Sequence, residues 1–281
     1  MKAKMILSLF CLSVLAACGE DDLPKSSDLG GLRILAIQAG SDGSTAEYAE
    51  GQSVQLTPYI SDYNQTRTVE FEAMWCLDPG VSYGAQPSCD GVAGATSLGS
   101  GAISFGDPNR TGAANPLPAS FQIPAGLLAT RLPTDQFNGT AVLFTYKLRA
   151  SDGATTKSFK RVIVSSKPAK NNNPPVAVIQ AGGAPLAAYP TGAVQVTASI
   201  ATPANEAFQE MKRDGSLASR TEELLTSWFI SDGTLELFRT INGQATKFEP
   251  PATKPTGRTP IIVAVTRDSR GGVSVRIQPL P

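Results

Sequence analysis

The composition of this 281-residue chain narrows the kinds of protein it can be. At roughly 150 residues per domain, the length predicts about two domains, each large enough for its own core. The formal net charge is zero, so no basic field is available to hold nucleic acid. There are 0 histidines, which excludes Ser-His-Asp and Cys-His catalysis, histidine-ligated zinc and a histidine pH switch. The 26 glycines, 21 prolines and charged fraction of 17% favour short strands and turns over long surface helices.

The amino terminus has the pattern of a lipoprotein signal peptide. Lys2 and Lys4 precede an apolar run over residues 5–17, which as a helix would span about 20 Å, less than the roughly 30 Å of a bilayer core. The pattern therefore predicts a secretory signal peptide over residues 1–17. Its end, Leu15-Ala16-Ala17-Cys18, resembles the lipobox of bacterial lipoproteins. That resemblance implies cleavage before Cys18, acylation of Cys18 with palmitate-type chains and lasting attachment to a membrane.

The residues after the lipobox predict where the protein is held. By similarity to the enterobacterial sorting rule, Gly19 in place of an aspartate implies the outer membrane. Residues 18–31 are polar and charged, with almost no apolar side chain to bury, which predicts a flexible tether. We therefore expect a lipid-anchored outer-membrane protein, on either the periplasmic or the cell-surface face.

An internal repeat predicts the organisation of the rest of the chain. Ile37-Gln38-Ala39-Gly40 recurs as Ile179-Gln180-Ala181-Gly182, and Val54-Gln55-Leu56-Thr57 recurs as Val194-Gln195-Val196-Thr197. Between the copies, residues 167–174 are polar and contain prolines, which predicts a short and fairly stiff linker. The sequence therefore predicts two tandem β-sandwiches, over residues 32–166 and 175–281.

Each copy of the repeat contains the strands that a sandwich needs. Apolar residues alternate over 142–148 and again over 261–265, and each run is followed by an Asp/Gly turn and a returning apolar run. Period-two alternation with such turns predicts antiparallel hairpins buried on one face. A strand in the middle of each copy carries its only tryptophan, Trp75 or Trp228. We expect both to lie in the structural core, filling the gap of about 10 Å between sheets.

The tryptophan motifs carry a resemblance to a known family. Trp228-Phe229-Ile230-Ser231-Asp232-Gly233 keeps the spacing of the Trp-x-Phe-Gly-Asp-Gly motif of PKD-type immunoglobulin-like domains, and Trp75-Cys76-Leu77-Asp78-Pro79-Gly80 is a looser version. The chain as a whole resembles myxobacterial-type outer-membrane lipoproteins in which a lipobox precedes tandem PKD domains. This resemblance implies an all-β protein built of immunoglobulin-like sandwiches, and it brings no catalytic residues.

Two of the four cysteines are available for a disulfide. Cys11 leaves with the signal peptide and Cys18 is acylated, so Cys76 and Cys89 remain in an envelope compartment that permits oxidation. A disulfide between them would stabilise the fold by about 3 kcal/mol. The alternatives, a metal pair or a reactive thiol, lack a third ligand and a histidine.

Three residues are candidates for binding a partner. Phe105 lies in a Gly-, Ser- and Asn-rich stretch over residues 90–118, which predicts either a variable partner-facing loop or a surface excursion without a binding role. Asn205 and Gly215 have the positions of a helix cap and a helix end. The helix they predict would place Phe208 and Met211 on one face, packed on the end of a sandwich or on a partner.

The sequence contains no pattern that selects a cofactor or a catalytic site. Calcium would need six to eight oxygens, and the aspartates at predicted strand ends form no dense Asp-x-Asp-x-Asp loop. These aspartates are Asp62, Asp78, Asp90, Asp152, Asp232 and Asp268. No spacing selects a catalytic carboxylate pair, and no phosphate loop or Gly-x-Ser-x-Gly elbow occurs. We therefore expect a non-enzymatic protein without cofactor or metal.

These features favour a lipid-anchored envelope protein that presents two sandwiches to a protein or glycan. Its contact with the membrane would be the acylated Cys18, and nucleic acid is not an expected partner. Two alternatives stay open. The chain could be a structural spacer or scaffold component of an envelope machine, or a glycan-directed hydrolase with two carboxylates in one cleft.

Overall fold

The computed structural model describes residues 27–80, 85–114, 121–200 and 205–281. The fold is all-β, as predicted: 47% of the described residues lie in strands, and the same ranges contain one short helix, α1 (Pro133–Asn138). No helix within these ranges is long and apolar enough to cross a bilayer. The predicted signal peptide, Cys18 and the first part of the predicted tether lie outside the described residues.

Two sheets are formed by the strands before residue 166. One has the order β1-β4-β7, the other β2-β10-β9-β5-β6, and β3 pairs separately with β8. The strands are β1 (Arg33–Ala39), β2 (Glu47–Tyr48), β3 (Ser53–Val54), β4 (Leu56–Ser61), β5 (Val69–Leu77), β6 (Thr96–Ala102), β7 (Thr111–Ala113), β8 (Phe121–Gln122), β9 (Thr140–Ala150) and β10 (Thr155–Val164).

These sheets enclose the first core, which contains Ile37, Leu56, Phe71, Phe144 and Leu148 among other buried apolar residues. The inward residues of β9 alternate along the strand, because successive side chains of a strand point to opposite faces. Trp75 packs half-buried against this core, with its ring 4.4 Å from that of Phe121.

The strands after residue 175 also form two sheets and a separate hairpin. The sheets have the orders β12-β11-β13-β19-β17 and β18-β16-β20-β21, and β14 pairs with β15 alone. The strands are β11 (Val178–Ala181), β12 (Ala184–Pro185), β13 (Val194–Ser199), β14 (Ala207–Met211), β15 (Leu217–Thr221), β16 (Leu225–Ile230), β17 (Thr234–Leu235), β18 (Arg239–Ile241), β19 (Thr246–Glu249), β20 (Ile261–Arg267) and β21 (Val273–Pro279).

Trp228 is the centre of the second core, which also contains Ile179, Phe248 and Ile262. Trp228 is fully buried, and its indole Nε1–H donates a hydrogen bond to Thr240 Oγ1 at 2.9 Å. A buried indole needs such a partner, because an unpaired N–H in an apolar core is costly.

The two copies of the sequence repeat form equivalent strand pairs. Ala39 lies opposite Leu56 on β4, and Ala181 lies opposite Val196 on β13. Gly40, after β1, has a φ of 75°, and Gly182, after β11, has a φ of 58°. Residues with a side chain rarely adopt such positive φ values. The two copies of the sequence repeat therefore form the same local strand pair and turn.

A shared cluster joins the two parts of the chain. It contains Leu29, Leu35 and Ala36 from the amino-terminal side and Ile261, Val263 and Val265 of β20 from the carboxy-terminal side. The alternate residues of β20, Ile262 and Ala264, belong to the second core. The β20 sheet is therefore covered on both faces, which explains its unbroken run of apolar side chains.

The segment over residues 167–174 lies between the two parts, with Lys167, Asn171 and Asn173 buried and residues 168, 169 and 172 exposed. Asn173 Nδ2 donates to the Ala39 carbonyl at 2.7 Å, and Asn173 Oδ1 accepts a hydrogen bond from Val273 N at 2.9 Å. Asn171 is fully buried and donates to Asp268 Oδ2 at 3.0 Å. Because these amides bond to both sides, the segment holds the two parts in one orientation.

The last residues of the predicted tether belong to the folded body. Leu29 N donates to the Ile230 carbonyl at 3.0 Å, Ile230 N donates to the Ser27 carbonyl at 2.8 Å, and Leu29 is fully buried. The prediction of a flexible tether as far as residue 31 was therefore wrong for Ser27–Gly31. Leu29 is the apolar residue of this stretch, and the stretch pairs with β16, which lies about 200 residues further along the chain.

The predicted helix starting at Asn205 is instead the β14–β15 hairpin. Gly215 (φ 82°) and Asp214, which accepts a hydrogen bond from Ser216 N at 2.9 Å, form the turn. A helix of about ten residues is marginal by itself in water. Asn205, read as a helix cap, donates instead to the Glu222 carbonyl at 2.7 Å.

The predicted long loop over residues 90–118 contains two strands in its described part. β6 pairs with β5, and β7 pairs with β4. Phe105 packs half-buried against the first core, with the Arg110 guanidinium 4.2 Å from its ring centre. The loop prediction failed because β6 is rich in glycine and serine, and backbone pairing with β5 overrides that weak strand propensity.

The predicted disulfide between Cys76 and Cys89 is confirmed. The two Cα atoms lie 5.6 Å apart, and both cysteines are fully buried against Leu143 on the outer face of β9. The bond therefore holds the loop between them against that face.

We expect the shared cluster to stabilise the whole molecule. Leu35 is 2% exposed, so Leu35→Ala should lower the free energy of unfolding by about 3 kcal/mol through lost burial and a cavity. The measurement is urea unfolding followed by tryptophan fluorescence. Leu132→Ala is the matched control, because Leu132 is 67% exposed and its truncation should change stability by less than about 0.5 kcal/mol. Equal effects of the two changes would contradict a stabilising shared cluster.

Candidate functional site

An open groove of about 570 Å³ lies where the two parts of the chain meet. We call it the junction groove. Its walls come from β2, β10, α1 and the segment over residues 167–174 on one side, and from the β14–β15 hairpin and the β20–β21 turn on the other. The side chains on which its chemistry depends are Glu47, Arg161, Lys167, Phe208, Glu210, Arg220 and Arg270.

The hairpin that forms one wall is held by contacts at its base and edge. Two-stranded hairpins are marginally stable alone, so such contacts are needed to fix its position. Asn138, the last residue of α1, donates from Nδ2 to the Met211 carbonyl at 2.8 Å and accepts from Met211 N at 2.8 Å. Arg270 bonds to Glu206 and Glu222 at the two ends of the hairpin, at 2.8 and 2.6 Å. The wall is therefore tied to both parts of the chain.

Phe208 is the aromatic side chain of the groove. The ring centre lies 4.7 Å from the Arg270 guanidinium carbon and 5.9 Å from Lys167 Nζ. Cations over an aromatic ring are attracted by its negative face. These contacts hold the half-buried ring in place at the groove wall.

Charged side chains of the groove take part in ion pairs. Arg161 pairs with Asp78 at 2.5 Å, Arg220 with Glu210 at 2.9 Å, and Lys167 with Glu47 at 4.0 Å. Paired charges of both signs offer hydrogen-bond donors and acceptors without a net field. The groove is therefore suited to a polar ligand with both kinds of group rather than to a polyanion.

The paired carboxylates at the hairpin base are partly withdrawn from water. Burial raises the pKa of Glu222 above its ordinary value, and the hydrogen bond from Arg270 opposes that rise. Glu206 and Glu222 both bond to the same guanidinium, so Arg270 is needed to hold the two acids side by side.

Buried polar groups form the base of the groove. Glu47 accepts hydrogen bonds from Ser165 Oγ and from Asn171 N, the latter at 3.0 Å. Asp268 Oδ1 accepts from Gly272 N at 2.7 Å, and a Cβ on Gly272 would lie 2.1 Å from Asp268 Oδ2. The β20–β21 turn can therefore approach Asp268 this closely only because residue 272 is glycine.

Lys160 is the buried cation of this junction. Its ammonium donates to the Gly271 carbonyl, which joins β10 to the β20–β21 turn. Burial lowers the pKa of Lys160 to about 8, with an opposing effect from Asp268 and a smaller one in the same direction from Arg267. The Lys160 ammonium is therefore stabilised by its hydrogen bond to the Gly271 carbonyl and by the negative charge of Asp268.

The three predicted partner-binding residues do not come together. Phe208 lines the groove, but on a strand rather than on the predicted helix. Met211 lies at the edge of the same hairpin, half-buried, with its backbone bonded to Asn138. Phe105 lies against the first core, away from the groove.

Sequence reasoning missed most of the charged residues of the groove. Glu210 lies in the predicted helix and Lys167 in the predicted linker, and Arg220 lies beyond the end of that helix at Gly215. Arg270 lies in the Asp/Gly turn that follows the apolar run over 261–265, and the corresponding turn of the first copy, Ser151-Asp152-Gly153, has no arginine. That difference between the two copies was the available signal.

Four of the six aspartates considered for calcium, Asp62, Asp78, Asp152 and Asp232, are paired with arginines. Asp62 pairs with Arg67 at 2.6 Å and with Arg110 at 2.9 Å, and Asp232 pairs with Arg258. Across the described ranges, no three residues among Asp, Glu, Cys and His come together as a group that could hold a metal ion. In the second tryptophan motif, Asp232 thus ties the end of β16 to the loop before β20.

Comparison with known proteins yields only weak structural similarity. No protein family and no curated protein matches the sequence. The Bacteroides ovatus mixed-linkage glucan utilization locus protein SGBP-B, in complex with a mixed-linkage heptasaccharide, aligns at 13% identity with a TM-score of 0.18, over 92% of this chain and 48% of its own. A chain of the crystal structure of Dpr11 IG1 bound to DIP-gamma IG+IG2 aligns at 8% identity with a TM-score of 0.18, over 87% of this chain and 98% of its own. The chain thus spans about half the length of the first structure, and neither similarity bears on what it binds.

We expect Lys160 to make stability depend on pH. The folded pKa of about 8 lies below the ordinary 10.5, so between these values the unfolded chain holds a proton that the folded chain has released. The free energy of unfolding should therefore rise as pH increases from about 8 towards about 10. Urea unfolding across this range should show the rise in the native chain and lose it in Lys160→Met. The exposed neighbour on the same strand provides the control, since Lys157→Met should keep the rise.

Proposed function

We propose that this protein is a non-enzymatic binding protein of the cell envelope. Two tandem immunoglobulin-like sandwiches hold the junction groove in a fixed shape, and the groove takes a protein or glycan partner. The segment over residues 167–174 and the shared cluster support a fixed arrangement of the two sandwiches. A partner then binds a preformed surface, so binding does not include the entropic cost of ordering that surface.

The observation that carries the proposal is the position of the β14–β15 hairpin. None of its residues belongs to the first core, the second core or the shared cluster, yet both of its ends and one edge are bonded in place. A rigid element that contributes nothing to the cores is the kind of element on which scaffolds carry recognition. Phe208, Glu210 and Arg220 line the groove from this hairpin.

The carboxylates of the groove favour binding over hydrolysis. Glu47 is 2% exposed and accepts hydrogen bonds from Ser165 and Asn171, and Glu210 is paired with Arg220. A glycan hydrolase needs one carboxyl group with a raised pKa and a second one facing the substrate. Glu47 and Glu210 instead have structural partners, and Glu222, the acid with the raised pKa, is bonded to Arg270 at the hairpin base. These contacts support a binding role for the site.

We propose further that the body is held at the outer membrane by acylated Cys18, as in the myxobacterial-type lipoproteins that the chain resembles. The first described residue is Ser27, and eight residues lie between it and Cys18. Eight residues reach at most about 30 Å when fully extended. The groove would therefore act close to the membrane surface.

A second candidate function, a rigid spacer, is favoured by the burial of Asn171 and Asn173. The two roles predict opposite responses to a longer membrane tether. Inserting about ten Gly/Ser residues after Glu20 changes the distance from the membrane and leaves the described body untouched. Partner recovery after cross-linking in intact cells should persist for a binder, whereas a spacer should lose its neighbours.

We expect groove variants to lose the partner. Tagged full-length protein, recovered from detergent-solubilised envelopes, should bring down a specific partner, and Phe208→Ala/Arg220→Ala should reduce that recovery at least about tenfold. The matched control is Phe238→Ala/Arg239→Ala, an exposed aromatic–cation pair elsewhere on the surface, with a ring-to-guanidinium distance of 5.6 Å. Recovery that is equal for both double variants, or absent for the native chain, would argue against a binding groove.

We expect Cys18 to carry the anchor. The native chain should sediment with membranes and take up an alkyne-labelled palmitate, and Cys18→Ala should do neither. Cys11→Ala should behave like the native chain, because that residue leaves with the signal peptide. A native chain found in the soluble fraction without label would contradict the anchor.

A further inference from the structure

The sheet with the order β2-β10-β9-β5-β6 carries a second concavity on its outer face. It has a volume of about 100 Å³ and lies between that face and the disulfide-bonded loop. We call it the sheet-face pocket and define it by Glu72, Met74, Asp90, Lys147, Lys157 and Phe159. None of these residues lines the junction groove.

The strand register arranges the side chains of this pocket in rows. Glu72 on β5, Lys147 on β9 and Lys157 on β10 lie directly opposite one another. In the next row, Met74 and Phe159 flank Thr145. Charged groups therefore lie beside an apolar strip, on one rigid surface.

The two lysines of the charged row lack carboxylate partners. Neither ammonium forms an ion pair with any residue in the described part of the chain. Lys147 and Lys157 also lie directly opposite each other, and like charges in that position destabilise a sheet. The acids of the pocket lie on its other side, Glu72 on β5 and Asp90 in the loop, where Asp90 accepts a hydrogen bond from Ser88 Oγ at 2.8 Å. The pocket thus has one cationic side and one acidic side.

Phe159 adds an exposed aromatic surface to the pocket. It is 38% exposed, and the Arg161 guanidinium lies 5.5 Å from its ring centre. An aromatic face beside a few placed polar groups is typical of small-molecule and sugar sites, because the ring contacts the apolar face of a ligand while polar groups orient it.

The position of the pocket within the sheet limits the kind of ligand. β9 pairs with β5 on one side and with β10 on the other, so its backbone groups are already used. A peptide strand therefore cannot bond to β9, the strand that carries Lys147. Recognition at this row must come from side chains, which suits a ligand that carries its own polar groups around a ring.

We propose that the sheet-face pocket binds a carboxylate-bearing saccharide of the uronic acid type. The sugar carboxylate accepts hydrogen bonds from Lys147 and Lys157, its hydroxyls donate to Glu72 and Asp90, and its ring lies against Phe159. The charge complementarity of the two sides carries this assignment. The site is separate from the junction groove and does not depend on a partner there.

The test is calorimetric titration of the full-length protein in detergent with an oligosaccharide that contains glucuronic acid. Lys147→Met/Lys157→Met and Phe159→Ala should each weaken binding at least about tenfold. The carboxyl-reduced oligosaccharide should bind the native chain as weakly as the acidic one binds the lysine variant. Unchanged thermal unfolding midpoints show that each variant is folded.

Matched variants separate this site from general surface effects and from the groove. Lys212→Met/Lys254→Met and Phe238→Ala remove exposed lysines and a phenylalanine that is 48% exposed elsewhere, and should bind normally. Phe208→Ala/Arg220→Ala should also bind normally, whatever its effect on the groove. Equal affinity for the reduced oligosaccharide, equal affinity for a glutamate-rich peptide, or no binding at all would overturn the assignment.

Discussion

Burial of one sheet on both of its faces is the constraint on which the rest of the structure depends. Ile262 and Ala264 of β20 face the second core, and Ile261, Val263 and Val265 face residues contributed by the amino-terminal side. A sheet with two apolar faces must be covered twice, because either face left in water would expose a large apolar surface. The amino-terminal strand β1 and Leu29 supply the second cover, and this requirement joins the two parts of the chain.

The polar contacts of the junction follow from that apolar contact. Once β1 lies against the β20 sheet, the segment between the repeats is enclosed, and its backbone and amide groups must find partners. Asn171 and Asn173 bond to both sides, and Lys160 reaches the β20–β21 turn. Hydrogen bonds of this kind add modest free energy each, but they select a single orientation. The junction groove keeps its shape because that orientation is unique.

The groove and the sheet-face pocket use the same scaffold in different ways. The groove is built across the junction by the hairpin, and its ion pairs leave it nearly neutral. The pocket lies between one sheet and the disulfide-bonded loop, and the strand register places Glu72, Lys147 and Lys157 in one row. Arg161 lies between the groove and the pocket, paired with Asp78 and placed over Phe159. Both surfaces therefore belong to one rigid body that we propose to be held close to a membrane.

The sequence by itself determined the all-β class, the repeated strand pair, the hairpins and the Cys76–Cys89 bond, because alternation, Asp/Gly turns and residue spacing are local properties. It misidentified the insertion after Asn205 as a helix and residues 90–118 as a loop, because pairing with distant strands decides those segments. It predicted a flexible tether as far as residue 31, whereas Leu29 is fixed in place by a hydrogen bond to Ile230, far along the chain. Which side chains meet at the groove and in the sheet-face pocket was decided only by the tertiary structure, because both sites join residues that are far apart in the chain.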